Sequence, residues 1–261
     1  MYDFTSVKRT LGDNWKRLND RVSDACRGVG RDPDSVKVVA VTKTATIDMV
    51  RALVELGVAD LGENRVTELG RRAAMLNEWM SRRSPDLAAG ELMRPRWHMI
   101  GHLQRNKVKL VLPWVGMIHS VDSLRLAEEI DTHVSALNRK MPVLVQVNAA
   151  DEKQKYGVAV AAATHLAEQI HTLPNLEVRG LMAVGPLTGD VQQIRQVFIR
   201  VREIFDEIAG MRMCGPQFTE LSLGMSHDFE HAIEVGATYV RVGSALFDGI
   251  ELPLPVQVQV E

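Results

Sequence analysis

Val36-Lys37-Val38-Val39-Ala40-Val41-Thr42-Lys43 is a short, almost unbroken apolar run that ends on a lysine. A run without polar alternation reads as a strand buried on both faces, as in a parallel sheet covered by helices. Side chains alternate along a strand, so Lys43, Val41 and Val39 share one face and Thr42, Ala40 and Val38 the other. A lysine at the carboxyl end of such a strand stands where these folds place chemistry, although a lysine also ends many strands only because it reaches water.

Outward from this stretch the chain alternates. An amphipathic helix over 4–28 precedes it, with Val7, Leu11, Trp15, Leu18, Val22 and Ala25 at steps of three and four. After it come a helix over 46–56 capped by Thr46, a strand at 59–64 and a helix over 65–80. A surface loop is expected over 81–95, rich in proline and arginine. The third and fourth strands are expected at 96–101 and 117–121, separated by a short helix over 104–112. The helix after them buries Leu124, Ala127, Ile130, Val134 and Leu137. The fifth and sixth strands are expected at 143–148 and 176–184, flanking an alanine-rich helix that ends near Leu173. The helix over 190–209 has the most regular apolar stripe. The seventh strand is expected at 218–223, then a short helix over 227–235, then the eighth strand at 239–242.

Eight strand-then-helix units after one extra helix imply parallel strands with right-handed crossovers. Their number and length suit a single (β/α)8 TIM barrel spanning about 36–250, preceded by the N-terminal helix and followed by a tail over 251–261. A doubly wound open sheet is the competing arrangement. It usually carries a glycine-rich loop after its first strand, and 42–47 contains no glycine.

Composition narrows the function. Hydrophobic residues make up 46% and charged residues 25%, enough to support a large core. A net charge of −2 leaves no basic footprint for nucleic acid. No stretch approaches the ~18 consecutive apolar residues of a membrane span, and the N-terminus has no apolar signal region. Cys26 and Cys214 are far apart and lack metal-type spacing, which favours a reducing compartment. A cytoplasmic monomer is expected.

Candidate chemistry collects at the carboxyl ends of the strands. Gly224-Met225-Ser226 after the seventh strand and Gly243-Ser244 after the eighth put small residues where barrels bind phosphate. A helix cap for Ser226 and a tight turn for Gly243 are the plain alternatives. Closure makes the first and eighth strands neighbours, roughly 5 Å apart. Parity then turns both Lys43 and Arg241 inward, and a partly desolvated lysine beside a fixed cation should lose its proton more readily. A neutral amine forms Schiff bases with carbonyls. Beside a phosphate site, the partner is a phosphorylated aldehyde: pyridoxal 5′-phosphate, or the sugar phosphate of an aldolase.

Other residues are decoys. His227 and His231 stand at i and i+4, as in a zinc helix, but no third ligand is evident. Asp228 is expected to support the helix N-terminus. His98 reads as a hydrogen-bonded core histidine. Arg71-Arg72 and Arg82-Arg83 read as solvated charge, and Met182 and Met225 as core by default.

Ordered blocks carry a resemblance. They are Ala40-Val41-Thr42-Lys43-Thr44, Gly62-Glu63-Asn64, Trp97-His98-Met99-Ile100-Gly101, Leu103-Gln104 with Asn106-Lys107, Gly180-Leu181-Met182, Leu221-Ser222-Leu223-Gly224-Met225-Ser226 and Arg241-Val242-Gly243. The chain resembles the YggS/PROSC family of pyridoxal phosphate homeostasis proteins, whose fold is similar to the barrel half of alanine racemase. The resemblance implies that Lys43 holds pyridoxal 5′-phosphate as an internal aldimine. It also implies that Ser226, Gly243 and Ser244 bind the phosphate, that Arg241 faces the pyridine nitrogen, and that Asn64 and Met182 line the ring. His102, where many relatives have proline, and Asp248-Gly249 after Phe247 depart from the pattern at the rim.

A guanidinium at the pyridine nitrogen disfavours its protonation and weakens the ring as an electron sink. Alanine racemase draws a second acid/base from a further β domain. Only 248–261 follow Phe247, so that domain is expected to be absent. The reading is therefore a carrier in vitamin B6 homeostasis without efficient catalysis, with pyridoxal phosphate-dependent apoenzymes as possible recipients. A single-domain amino-acid racemase dependent on pyridoxal phosphate is the alternative.

Overall fold

The computed structural model describes residues 4–83, 93–150, 152 and 154–251. Its eight barrel strands are β1 (Lys37–Val41), β2 (Asp60–Glu63), β3 (Arg96–Met99), β4 (Val115–Val121), β5 (Met141–Asn148), β6 (Leu176–Ala183), β7 (Glu220–Ser222) and β8 (Tyr239–Val242). Each pairs in parallel with the next, and β1 pairs with β8, so the sheet closes. The helices are α1 (Phe4–Gly28), α2 (Ile47–Glu55), α3 (Val66–Arg83), α4 (Val108–Val111), α5 (Leu124–Val134), α6 (Ala163–His171), α7 (Val191–Met211) and α8 (Phe229–Glu234). This is the expected (β/α)8 barrel with an extra N-terminal helix.

Strand parity builds two cores. Ala40, Leu61, Trp97, Ile118, Val143, Val178 and Val240 belong to the large layer between strands and helices. Val39, Met117, Leu144, Met182 and Tyr239 form a separate cluster inside the barrel. The nearly continuous apolar strands follow from this, because both faces are dry. Local chemistry starts the helices where the sequence suggests. The Thr46 hydroxyl accepts from Met49 N–H at the start of α2, and Asp190 Oδ1 accepts from Gln192 N–H at 2.9 Å at the start of α7.

Helix α1 packs its apolar face on α2 and α8. Within that face Asn14 is buried, and its amide donates to the carbonyls of Leu246 and Asp248 at 3.0 and 2.9 Å. A polar residue in an apolar stripe thereby ties α1 to the loop after β8.

Several boundaries differ from expectation. The first strand stops at Val41, two residues short of Lys43. Helix α3 runs through Arg83 into the segment expected as loop. Leu137 is exposed, because α5 ends at Val134 and a single 3₁₀ turn, Ser135–Leu137, follows. The segment after β5 adds a two-residue strand, Val158–Ala159, beside Val147 and Asn148. The tail beyond Glu251, and 84–92 of the expected loop, lie outside the described residues.

Candidate functional site

Lys43 stands in the turn after β1, and that turn is held from below. Thr42 leaves the strand buried, its hydroxyl 3.2 Å from Glu63 Oε2 and 3.3 Å from the Gly62 carbonyl. Arg72, on α3, donates to the Thr42 carbonyl and lies 3.6 Å from Glu63. Asn64 N–H donates to Glu63 Oε1 at 2.9 Å. One buried carboxylate therefore braces the turns that carry Lys43 and Asn64. Burial raises the Glu63 carboxyl above its usual range, with Arg72 opposing the shift.

Two expectations are corrected here. Lys43 is exposed rather than partly desolvated, since strand parity ends with the strand. Arg241 is not level with it: Arg241 pairs with Val39, four residues before Lys43, or roughly 13 Å along the strand. Arg241 therefore does not stand beside Lys43 as an activating cation. Arg72, read as solvated charge, is instead buried beneath the turn.

The loops after β7 and β8 do converge. Helix α8 starts at Phe229, so Ser226 is not its cap. The Ser226 hydroxyl instead accepts from the backbone N–H of Gly243 at 3.1 Å and of Ala245 at 3.4 Å. Ser244 is exposed at the head of one 3₁₀ turn, Ser244–Leu246. Asp228 does not reach into α8 either; its carboxylate accepts from Met225 N–H at 2.5 Å and so shapes the loop. Gly224, with φ +79°, has no room for a side chain, since a Cβ would lie 2.7 Å from Phe229 Cα. Beside these loops a cleft of about 410 Å³ is lined by Ser226, His227, Ser244 and, from α1, Asn14, Arg17 and Arg21. Sequence reading missed Arg17 and Arg21, because an amphipathic helix gives no sign of which loop its polar edge meets.

Arg241 is buried inside the barrel, as parity predicts. It donates to the carbonyl and hydroxyl of Ser222 at 2.8 and 2.6 Å, and to the Ala183 carbonyl at 2.8 Å. Burial pushes its guanidinium down to about 10, with Asp228 opposing, so it stays charged at neutral pH. Ser222 Oγ lies 3.0 Å from His119 Nδ1, His119 Nε2 lies 2.8 Å from His98 Nδ1, and His98 Nε2 lies 2.7 Å from Asp60 Oδ1. Arg96 Nε donates to the same Asp60 oxygen at 2.9 Å. His98 is the expected hydrogen-bonded core histidine. Asp60, His119 and Ser222 were missed, although each shares strand parity with an inward neighbour.

Met182 lies in the inner apolar cluster, almost wholly buried. Asn64 is exposed at the rim, and its backbone is packed so closely that a Cβ on Gly101 would fall 2.2 Å from its carbonyl oxygen. Across the mouth, Gln146 donates its amide N–H to the Tyr156 carbonyl, which leaves its buried Oε1 without a partner. Asn148 does the same with the Glu152 and Lys155 carbonyls, and its Oδ1 is also unpartnered. Tyr156 stacks on His102, ring centroids 3.9 Å apart. His227 precedes α8 and His231 lies beside Glu234, and no group of three metal-type ligands occurs among the described residues.

This end of the barrel thus brings together an exposed amine, the hydroxyls of Ser226 and Ser244, and a buried cation set deeper. An exposed amine can condense with an aldehyde, and hydroxyl donors can hold an anion.

The sequence profile of the alanine racemase N-terminal domain matches residues 11–250. The pyridoxal phosphate homeostasis protein of Aquifex aeolicus is 37% identical over 231 residues, covering 88% of this chain and 94% of that protein. Its counterpart in Escherichia coli K12 is 33% identical over 237 residues, covering 91% and 95%. Among solved structures, PipY of Synechococcus elongatus with pyridoxal phosphate bound superposes with a TM-score of 0.75 at 29% identity, covering 91% of this chain and 99% of PipY. An alanine racemase of Clostridium difficile, 14% identical with a TM-score of 0.64, shares the fold and covers 88% of this chain and 56% of its own. The chain belongs to the family of pyridoxal phosphate homeostasis proteins, built on the alanine racemase N-terminal barrel.

Proposed function

We propose that this chain binds pyridoxal 5′-phosphate at the carboxyl end of its barrel and serves as a non-catalytic carrier in intracellular vitamin B6 homeostasis. The observation that carries the reading is the convergence at one barrel end of the Lys43 turn with the loops joined by Ser226 and Gly243. The residues fit the cofactor. Ser226 and Ser244 supply hydroxyls suited to its phosphate, and Gly243, whose N–H donates to Ser226 Oγ, holds that hydroxyl in place. The unpartnered oxygens of Gln146 and Asn148 are available to polar hydrogens at the mouth. When bound, pyridoxal phosphate supplies an aldehyde that an amine can attack, with loss of water, and a ring that withdraws electrons.

In this reading Lys43 is the residue that would hold the cofactor through its aldehyde. Exposure lets the cofactor reach it from solvent and leave again, as a carrier requires. Arg241 offers only donors and keeps its proton at neutral pH, so it neither takes a proton from nor gives one to the ring. Asn64 and Met182 border the ring. The recipients are enzymes that lack their pyridoxal phosphate, the carrier is a monomer, and its setting is the cytoplasm. Among the described residues no helix is long and apolar enough to cross a membrane.

Purified protein mixed with pyridoxal phosphate should develop an absorption band, and borohydride should fix a pyridoxyl group on Lys43. Lys43→Ala should show neither. A Lys43→Ala protein that still fixes the cofactor would reject the assignment, and rapid Lys43-dependent interconversion of alanine enantiomers would replace the carrier with a racemase.

A further inference from the structure

The interior polar chain beneath the mouth has no part in holding the cofactor directly. We propose that Asp60, His98, His119 and Ser222 form a one-way hydrogen-bond chain that fixes the orientation of Arg241, making them positioning residues for the cofactor's ring. This rests on the cofactor reading above.

The direction follows from counting hydrogens. Arg241 has only donors, so Ser222 Oγ accepts from it at 2.6 Å. Ser222 Oγ keeps a second lone pair, so this link is fixed from the far end: the Asp60 carboxylate only accepts, and with both rings neutral His119 Nδ1, 3.0 Å away, accepts the Ser222 hydroxyl hydrogen. A neutral His119 carries its proton on Nε2 and donates it to His98 Nδ1 at 2.8 Å. His98 in turn donates from Nε2 to the Asp60 carboxylate at 2.7 Å. Every link points from the Arg241 cation to the Asp60 anion, and reversing any one leaves two donors or two acceptors facing each other.

The surroundings favour this state. Both rings are fully buried, on β3 and β4, and Tyr239 of β8 packs against each with centroids 5.7 and 5.6 Å away. His98 also faces the charges of Asp60 on β2, Arg96 on β3 and Lys37 on β1; His119 faces those of Arg96 and of Arg241 on β8. Burial lowers the affinity of both imidazoles for a second proton; Asp60 opposes this at His98, and the nearby cations reinforce it. Asp60 is also anchored by Arg96, which donates to the Tyr239 hydroxyl at 2.9 Å. The far end of the chain is therefore pinned to the opposite rim of the barrel.

Two measurements test the chain. In the full-length protein without cofactor, ¹⁵N imidazole NMR at about pH 7.5 should show His98 and His119 as neutral Nε2–H tautomers. A proton on Nδ1 of either ring, or a second proton on either ring at that pH, would overturn the proposal. In protein loaded with pyridoxal phosphate, Ser222→Ala should still fix cofactor on Lys43 after borohydride. Its absorption band should shift, and the pH midpoint of that band should move by about half a unit or more. Ser222→Thr, which keeps the hydroxyl, should return both toward the parent. A Ser222→Ala band and midpoint equal to the parent's would reject the positioning role alone. No uptake by the parent protein would reject the cofactor reading and this role together. Should Ser222→Ala not fold, the NMR result decides the matter.

Discussion

Lys43 is exposed, yet its backbone neighbour Thr42 is completely buried and bonded on both its hydroxyl and its carbonyl. The amine is exposed on a buried, hydrogen-bonded stub, a condition suited to capture and release. Gly101 is the complementary case, at the edge of the same mouth. A methyl group there would collide with the Asn64 carbonyl, whose turn cannot retreat without breaking the Glu63 contact. Gly101→Ala is expected to destabilise the protein by about 1–3 kcal/mol, measured as a lower urea midpoint with an unchanged slope. It should also weaken cofactor uptake, because the Asn64 turn must shift. The place of Lys43 just beyond a buried strand was legible from the apolar run before it. The burial of Arg72 was not, because an arginine on a helix looks solvated until the turn above it is placed.

At the scale of elements, two buried polar joints attach helices to site loops. Arg72 joins α3 to the turns after β1 and β2 through Thr42 and Glu63. Replacing it strands a buried carboxylate, so Arg72→Ala should cost about 3–5 kcal/mol in equilibrium unfolding. Asn14 joins α1 to the loop after β8. Asn14→Ala leaves two carbonyls short of a donor and should cost about 1–3 kcal/mol, with faster hydrogen exchange confined to α1 and 243–248. The boundaries of the strands were predicted to within a few residues because each carries an apolar run between turn signals. Their levels were not, and that is why the paired lysine and arginine separate. Which residues stand opposite one another depends on the stagger between strands, and a barrel's stagger is set by closure of the whole sheet.

For the whole molecule, the neutral histidines inside the barrel couple stability to pH. In the unfolded chain each takes a proton below its ordinary value near ~6.5, whereas burial keeps both folded values lower. Acidification therefore favours the unfolded state. Stability present above pH ~6.5 should fall by up to about 2.7 kcal/mol per pH unit below it, for two protons. Burial opposes the charge on Asp60, but the His98 hydrogen bond and the Arg96 cation outweigh it and lower its value. Its contribution is present above the ordinary carboxylate range, ~3.9, and is lost as pH falls through the lower folded value. Urea titrations at about pH 7 and about pH 5.5 should show the loss due to the two histidines, and equal midpoints would contradict it. By itself the sequence determined the eightfold alternation, the inward face of Arg241 and the small-residue loops after the last two strands, because these are written in local periodicity and strand parity. Tertiary structure alone decided that Lys43 stands clear of Arg241, and that Asp60, His98, His119 and Ser222 meet in one line. Those meetings join four different strands, and only closing the barrel brings their inner faces together.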